Sequence, residues 1–111
     1  MGNYQQFDEN NEEVQVIDRL SKIIYANNSL AKKVNLRIRD LCGGSVIDTL
    51  PGFLSSSIYQ HILECIKDHS SFYLLQKFNY QNEVPRSYEF FINPVEDGAL
   101  VISRELETNK A

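Results

Sequence analysis

His61, Cys65 and His69 are spaced four residues apart, which places their side chains on one side of a helix. Imidazole nitrogens and thiolates bind metals, so this trio suggests a metal or haem site. Steps of four residues rotate only about 40° around a helix, but the outer two positions stand about 12 Å apart along its axis, too far to share one ion. His61 also lies near Glu64 and Asp68, at the border of a polar face. We therefore expect a surface histidine here and no metal site.

Other potentially catalytic groups lack the sequence contexts that make them reactive. Cys42 and Cys65 form no C-x-x-C pair, so both are expected to be reduced thiols that fill space as small apolar residues. The serines at 55–57 are explained most simply as a helix cap, and Gly43-Gly44 has no following lysine to complete a phosphate-binding loop. No nucleophile elbow, P-loop or H-E-x-x-H motif occurs. We expect no enzymatic activity.

The composition is that of one small acidic domain. The 111 residues are 42% apolar, and 15 acidic against 11 basic residues give a net charge of −4. Nucleic-acid-binding domains carry a basic stripe, whereas the basic residues here are scattered, so no direct contact with DNA or RNA is expected. No apolar run approaches the ~20 residues of a membrane span, so no membrane contact is expected either. Two reduced thiols favour a cytoplasmic location.

Both ends of the chain are polar. Residues 1–13 are predicted to be a linker or a flanking helix, residues 14–108 the domain itself, and residues 109–111 the start of a second linker. This arrangement favours a domain excised from a longer protein.

Between the ends, the apolar pattern changes between the periods of strands and helices. Strands are predicted at residues 14–18, 22–26, 72–80, 86–93 and 99–106. Short helices begin after the caps Asn27-Asn28-Ser29 and are interrupted at Gly43-Gly44 and Pro51-Gly52, and one longer amphipathic helix covers residues 56–69. The predicted fold class is therefore α+β, with a five-stranded antiparallel sheet and its helices packed on one face.

The last three predicted strands carry apolar side chains on both faces. One face is assigned Phe72, Leu74, Phe78, Tyr88, Phe90, Ile92, Leu100 and Ile102. The opposite face is assigned Tyr73, Leu75, Phe91, Ala99 and Val101. Because a second apolar face needs a cover, we expect an N-terminal helix or a second subunit there. The predicted homodimer or flanking-helix interface consists of Tyr73, Leu75, Phe91 and Val101.

Several short motifs, taken in order, resemble those of a PAS domain, the sensory module of bacterial kinases, cyclic-nucleotide signalling enzymes and transcription regulators. Val16-Ile17-Asp18 and the run at 23–29 are similar to that family's opening V-x-D and I-x-Y-x-N-x-A patterns. Residues 39–43 resemble E-E-L-x-G, and residues 45–51 resemble S-x-x-D-x-x-P. The resemblance covers residues 14–108 and assigns motif positions to Asp18, Asn27, Gly43 and Asp48.

The resemblance implies a ligand cavity between the sheet and the short helices. The apolar residues expected to line it are Phe53, Ile58, Ile62, Phe90, Ile92 and Ile102. The polar groups expected there are Tyr25, Gln76, Lys77 and Tyr88. The alternative interpretation is that these side chains simply fill the core, since protein interiors pack to high density.

The resemblance also bears on cofactors. Haem-binding relatives place a histidine near the start of the longer helix, where this chain has serines and Ile58. Light-sensing relatives use a cysteine in an Asn-Cys-Arg motif after the glycine turn, whereas Cys42 precedes Gly43. Neither haem nor flavin is therefore expected, no cofactor is assigned, and an unidentified small ligand is left open.

The end of the last strand departs from the family pattern. An Asp-Ile-Thr triplet there often relays the signal, and residues 104–108 of this chain replace it, with Glu105 as the candidate for the aspartate's role. The resemblance implies a sensory domain that relays a signal to a covalently linked output domain, such as a histidine kinase, a cyclic-di-GMP enzyme or a transcription regulator. The alternative is a ligand-free module for dimerisation and protein–protein interaction.

Overall fold

The computed structural model describes residues 3–53, 56–80 and 84–106. Ser55 of the predicted helix cap, the predicted domain end at Thr108 and the predicted linker at 109–111 lie outside the described residues.

Five antiparallel strands form one sheet in the order β2-β1-β5-β4-β3. The strands are β1 (Glu13–Asp18), β2 (Ile23–Ala26), β3 (Phe72–Phe78), β4 (Arg86–Val95) and β5 (Gly98–Glu105). The helices between β2 and β3 are α1 (Asn28–Val34), α2 (Ile38–Leu41), α3 (Val46–Thr49) and α4 (Ser57–Asp68). The predicted α+β class is confirmed, with predicted strand ends that differ from these by one to two residues.

Local chemistry explains where the strands turn. The Asp18 carboxylate accepts hydrogen bonds from the backbone N–H groups of Leu20 and Lys22, both at 2.9 Å, and so closes the β1–β2 turn. At the β4–β5 turn, Gly98 has a φ of +152°, and a Cβ there would overlap the carbonyl oxygen of Ile17 on the neighbouring strand. Only glycine fits at this position.

The longer helix α4 begins at a serine cap and packs one apolar side onto the sheet. The Ser56 hydroxyl accepts from the backbone N–H of Ile58 at 3.2 Å. Ile58, Ile62 and Cys65 are fully buried, as expected for residues that repeat every three to four positions. The sheet face beneath the helices is called the inner face below, and the opposite one is the outer face.

The strand register reverses the predicted orientations of all four apolar residues on β5, because Ala99 and Val101 are on the inner face and Leu100 and Ile102 are on the outer face. Val101 lies opposite Ile92 and Gln15, is 1% exposed and belongs to the core, so it is on the inner face. Ile102 lies opposite Phe91 and Val14, which places it on the outer face. The prediction of Ile102 in the cavity and Val101 in the interface was therefore wrong.

Tyr25 is also on the outer face. It lies opposite Val16, whereas Ala26 lies opposite the inner-face residue Gln15. The β1–β2 register shifts between Val16 and Ile17, a bulge that alternation along one strand does not reveal. The prediction of Tyr25 as a polar group of the cavity was wrong.

Residues 3–12, called the N-terminal segment below, contain one 3₁₀ turn at Gln5–Phe7 and lie against the outer face. The Tyr4 ring packs on Tyr25 at a centroid distance of 5.6 Å, and the Tyr25 hydroxyl donates to Asp8 at 2.6 Å. Val14 and Val16 are fully buried yet stand outside the helix-side core. We infer that the N-terminal segment covers them. Among the described residues, no helix has the length and apolar character needed to cross a membrane.

Candidate functional site

Most of the residues predicted to line a cavity are brought together on the inner side. Phe53, Ile58, Ile62, Tyr88, Phe90 and Ile92 are at most 2% exposed and belong to one core. Aromatic rings meet edge to face, with centroids 5.1 Å apart for Phe53 and Phe78 and 5.7 Å apart for Phe78 and Phe90. These side chains therefore pack against one another, and their contact with a ligand stays a prediction.

Gln76 and Lys77, the two other polar groups predicted for the cavity, line an open surface cleft of about 270 Å³. The cleft lies between β3 and the segment before α4, and Phe78 connects it to the core. The Ser57 hydroxyl donates to the side-chain oxygen of Gln76 at 2.7 Å, which holds the start of α4 against β3. Gln76 is on the inner face at the edge of the core, whereas Lys77 is exposed on the outer face, so the prediction of Lys77 as a polar group of the cavity was wrong.

The inner face ends in a group of polar residues that we call the polar cluster. Its members come from β1, β4, β5, α1 and the residues after β3: Glu13, Gln15, Lys33, Tyr80, Tyr88, Ser103 and Glu105. The cross-strand register explains the grouping, because Glu13 lies opposite Ser103 and Tyr88 lies opposite Glu105. Glu13, Gln15 and Ser103 are all less than 8% exposed.

A chain of hydroxyl groups holds the Glu13 carboxylate. The Ser103 hydroxyl donates to Glu13 at 2.9 Å, and the Tyr80 hydroxyl lies 2.6 Å from the Ser103 oxygen. A serine hydroxyl carries one hydrogen, so Tyr80 must be the donor to Ser103. Burial raises the pKa of Glu13, against the opposing effects of the Ser103 hydrogen bond and the Lys33 charge, and burial raises the pKa of Tyr80 well above its ordinary value.

An ion-pair network closes the solvent side of the polar cluster. Lys33 on α1 contacts Glu105 at 3.0 Å, and Arg86 on β4 contacts the other Glu105 oxygen at 3.4 Å. The Lys33 ammonium also lies 5.5 Å from the centre of the Tyr88 ring. The Lys33 hydrogen bond lowers the pKa of Glu105, and the two positive charges add to that effect. Glu105, the predicted relay residue, thus joins β5 to α1 and β4.

Gln15 is the exception in the polar cluster. It is 1% exposed, and its Oε1 atom is buried with no hydrogen-bond partner among the described residues. Its cross-strand neighbours are Ala26 and Val101, which offer no side-chain donor. A buried carbonyl oxygen without a donor is costly and rare.

The four motif residues occupy different structural roles. Asn27 is fully buried and caps α1, and Asp18 closes the β1–β2 turn. Gly43 has a φ of +91°, which favours glycine, and its N–H donates to Ile23 at 2.7 Å. Asp48 is exposed in the first turn of α3.

Asn27 makes four side-chain hydrogen bonds. Its oxygen accepts from the N–H groups of Val14 and Leu30, and its nitrogen donates to the carbonyl oxygens of Phe7 and Glu12, all at 2.9–3.1 Å. One side chain therefore joins β1, α1 and the N-terminal segment.

The other half of the outer face, over β3 and β4, stays open among the described residues. We call it the bare half. Tyr73 and Leu75 are 52% and 63% exposed, and the Tyr73 ring packs on Phe91 at 5.1 Å. Glu89 accepts from Tyr73 at 2.8 Å and from Arg104 at 2.5 Å, and these two hydrogen bonds lower the pKa of Glu89. Three of the four predicted interface residues are thus on this face, and Ile102 takes the place of Val101.

The histidines and cysteines stand apart from these sites. His61 packs on the Phe72 ring at 4.9 Å and contacts the carbonyl oxygen of Ser57, and His69 is the exposed C-cap of α4. Within the part of the chain that the structure describes, no three His, Cys, Asp or Glu side chains are grouped as metal ligands. Burial raises the pKa of the thiols of Cys42 and Cys65, which disfavours the reactive thiolate.

Sequence reasoning missed Glu13, Gln15, Lys33, Tyr80 and Ser103 as site residues. Polar residues within a strand usually indicate a solvent-facing position, so β1 suggests that Val14 and Val16 point into the core. In the structure the two valines are on the outer face and Gln15 is on the inner face. The available signal was Ile17, which shares the parity of Glu13 and Gln15 on β1.

Comparisons with known proteins are informative at the level of structure. No protein-family model matches the chain, and no curated protein sequence does. VqmA of Vibrio cholerae, described as a LuxR-type receptor, superposes on 93% of the chain with a TM-score of 0.78 at 18% identity. The chain spans about half of VqmA, 49% of its length.

Other similar structures match along nearly their whole length. The PAS domain of a Colwellia psychrerythraea protein has a TM-score of 0.71 at 18% identity, with 92% of each chain covered. The PAS domain of nitrogen regulation protein NR(II) from Vibrio parahaemolyticus has a TM-score of 0.71 at 13% identity, with 92% of this chain and 95% of that one covered. At these identities the likeness establishes the fold.

Proposed function

The chain has the PAS fold, and we propose that it is a sensory module that binds a small molecule on the inner face and relays the signal to a covalently linked output domain. The observation that carries this proposal is the buried polar cluster. Polar groups are costly inside a core, and a core built only for stability would not need Glu13, Gln15 and Ser103 buried together at one end of its sheet. Binding sites combine apolar walls with a few placed polar groups, which is the composition of this region.

The relay would act through Lys33 and Glu105. A ligand near Ser103 and Tyr88 lies next to the ion pair that connects α1 to the end of β5. If the ligand binds one arrangement of this pair better than another, it shifts the population between them by that difference in affinity. The end of β5 then carries the change toward the residues that follow.

The similar structures support this proposal by analogy. VqmA is described as bound to DPO and in a complex with ligand and DNA. By that analogy, we propose a transcription regulator or a sensor kinase as the output domain and a cytoplasmic location. The output activity belongs to the linked domain, and this domain itself is proposed to be non-catalytic.

Native mass spectrometry of the purified chain, compared with its denatured mass, tests ligand binding. The expected result is a non-covalent mass increment that is lost on denaturation. Hydrogen exchange with and without that ligand should show protection at α1 and at the end of β5. Exchange that changes only elsewhere, or a chain that never carries or takes up a small molecule, contradicts the proposal.

Lys33→Met tests the relay, and Lys32→Met is the matched control. Both residues are on α1, but only Lys33 pairs with Glu105. Lys33→Met is expected to abolish the exchange response at the end of β5 while leaving the response of β4 unchanged. An unchanged β5 response in Lys33→Met removes Glu105 from the relay.

A second candidate function, dimerisation, is favoured by the bare half of the outer face. Tyr73, Leu75 and Phe91 present apolar surface on two adjacent strands, and such patches commonly mark protein interfaces. We propose a homodimer through this surface. Sedimentation velocity should show a dimer that Leu75→Glu converts to monomer, while Leu63→Glu, at an exposed position on α4, leaves it unchanged. A dimer that survives Leu75→Glu contradicts the proposal.

A further inference from the structure

The unpartnered oxygen of Gln15 needs an explanation that the chain itself does not supply. Two hydroxyl hydrogens of the polar cluster are already used: Tyr80 donates to Ser103, and Ser103 donates to Glu13. A hydroxyl has one hydrogen to give. Glu13, two positions along β1 on the same face, is an acceptor when ionised. Neither of these hydrogens reaches the Gln15 oxygen, which has no hydrogen-bond partner among the described residues.

The surroundings of Gln15 limit which groups could donate a hydrogen bond to its side-chain oxygen. On either side across the sheet are Ala26 and Val101, whose side chains are small and apolar. The polar cluster reaches solvent at the Lys33–Glu105 pair, where the two side chains are 26% and 33% exposed. Glu13 and Gln15 are two residues apart on the inner face of β1, so a group that reaches the Gln15 oxygen also lies near the Glu13 carboxylate.

We infer that the ligand of this domain is a small, largely apolar molecule that carries an N–H or O–H donor and no negative charge, and that Gln15 recognises it by accepting that hydrogen. This inference depends on the proposed sensory function and names its ligand class. The donor satisfies the oxygen that the fold leaves unpaired. The Glu13 carboxylate would repel an anion at the same place. Recognition therefore comes from one hydrogen bond in an apolar setting, where losing it is costly.

Two aromatic rings of similar size, pyrrole and thiophene, test the inference directly. Pyrrole has an N–H donor and thiophene has none. Titrations followed by ¹⁵N NMR, with the backbone amides of β1 and β5 as reporters in every variant, should show pyrrole binding about tenfold more tightly than thiophene. Gln15→Leu should remove that preference. Gln60→Leu, at an exposed position on α4, should retain it.

The outcomes separate the two proposals. If both rings bind equally to the unmodified chain, or if the preference persists in Gln15→Leu, the role of Gln15 is wrong and the ligand pocket stands. If neither ring binds on the inner face, the result counts against the proposed sensory pocket and removes the inference with it.

Thermal unfolding provides a second readout that does not depend on any ligand. Because an unsatisfied buried amide destabilises the empty protein, Gln15→Leu should raise the midpoint of unfolding of the ligand-free chain. A lower midpoint would show that Gln15 has a structural partner and would overturn the inference.

Discussion

Both halves of the outer sheet face carry apolar side chains, but those of one half are buried and those of the other are exposed. Over β1 and β2, Val14 and Val16 are fully buried and the N-terminal segment is hydrogen-bonded to the fold through Asn27 and Tyr25. Over β3 and β4, Leu75 and Tyr73 are more than half exposed. The difference shows that apolar side chains on a strand do not by themselves determine whether another part of the chain covers them. The hydrogen bonds of Asn27 and Tyr25 determine that the N-terminal segment covers the half over β1 and β2.

Asn27→Ala should have the largest effect, because it removes the anchor of the covered half. The change deletes the α1 cap and leaves the donors and acceptors of Val14, Phe7 and Glu12 without their partner. We expect the free energy of unfolding to fall by about 3 kcal/mol, measured by urea denaturation. The neighbouring exposed Asn28→Ala, which loses one contact with Glu9, should cost about 0.5 kcal/mol or less. Equal losses would contradict the role assigned to Asn27.

A matched pair of truncations compares the two halves directly. Val16→Ala removes a fully buried side chain beneath the N-terminal segment and should cost about 2 kcal/mol. Leu75→Ala removes an exposed one and should change the stability of the monomer by less than about 0.5 kcal/mol. Denaturant midpoints of the two variants at low protein concentration provide the measurement. A large cost for Leu75→Ala would mean that the bare half is covered in solution.

The residues on the outer face could be predicted from the sequence only in part. Tyr73, Leu75 and Phe91 were assigned to the outer face correctly, because β4 alternates between large apolar residues at 88, 90 and 92 and polar residues at 87, 89 and 93, which marks its inner face. Val101 and Ile102 were interchanged because both faces of β5 are apolar, so alternation does not say which is inside. The answer depends on the register with β4, which the turn ending at Gly98 sets.

The same limit applies to the candidate site. The large apolar residues of α4 and β4 were predicted to lie between the sheet and the helices, and they form part of the core there. The polar cluster was not predicted, because its members are separated in sequence by up to 92 residues, from Glu13 to Glu105, and meet only through the β1–β5 and β4–β5 pairing. Burial of Glu13 and Gln15 is a property of the assembled sheet.

Tyr4→Phe tests the contact of the N-terminal segment through the pH dependence of stability. Burial and the hydrogen bond to Asp97 raise the pKa of Tyr4 to about 12, above the ordinary value of about 10 in the unfolded chain. The folded state therefore holds its proton longer, and the stability from this group is complete below pH 10 and is lost as the pH rises from 10 to 12. At neutral pH we expect Tyr4→Phe to cost about 1 kcal/mol.

Denaturation curves recorded from pH 8 to 11.5 measure that dependence. The difference in stability between the unmodified chain and Tyr4→Phe should shrink as the pH rises. Tyr73→Phe on the bare half should show a weaker trend, because about half of this side chain is exposed to solvent. A difference that stays constant across the range would contradict the assigned contact of Tyr4.

The smallest expected effect is that of the Glu89–Arg104 pair beside the bare half. A double-mutant cycle with Glu89→Gln and Arg104→Gln should give only a small coupling energy that declines with added salt, since exposed ion pairs are weak and screened. A coupling several times larger and insensitive to salt would indicate that a partner shields this pair from water.

The hydrogen bonds of Asn27 have a mechanical consequence. The same side chain holds the carbonyl oxygens of Phe7 and Glu12 and the N–H groups of Val14 and Leu30. Tension or torque applied at residue 3 would therefore reach the start of α1 and β1 together, before the sheet itself is loaded. Helix α1, which receives this force, also carries Lys33. A force on the N-terminal segment and the binding of a small molecule would therefore both act on α1.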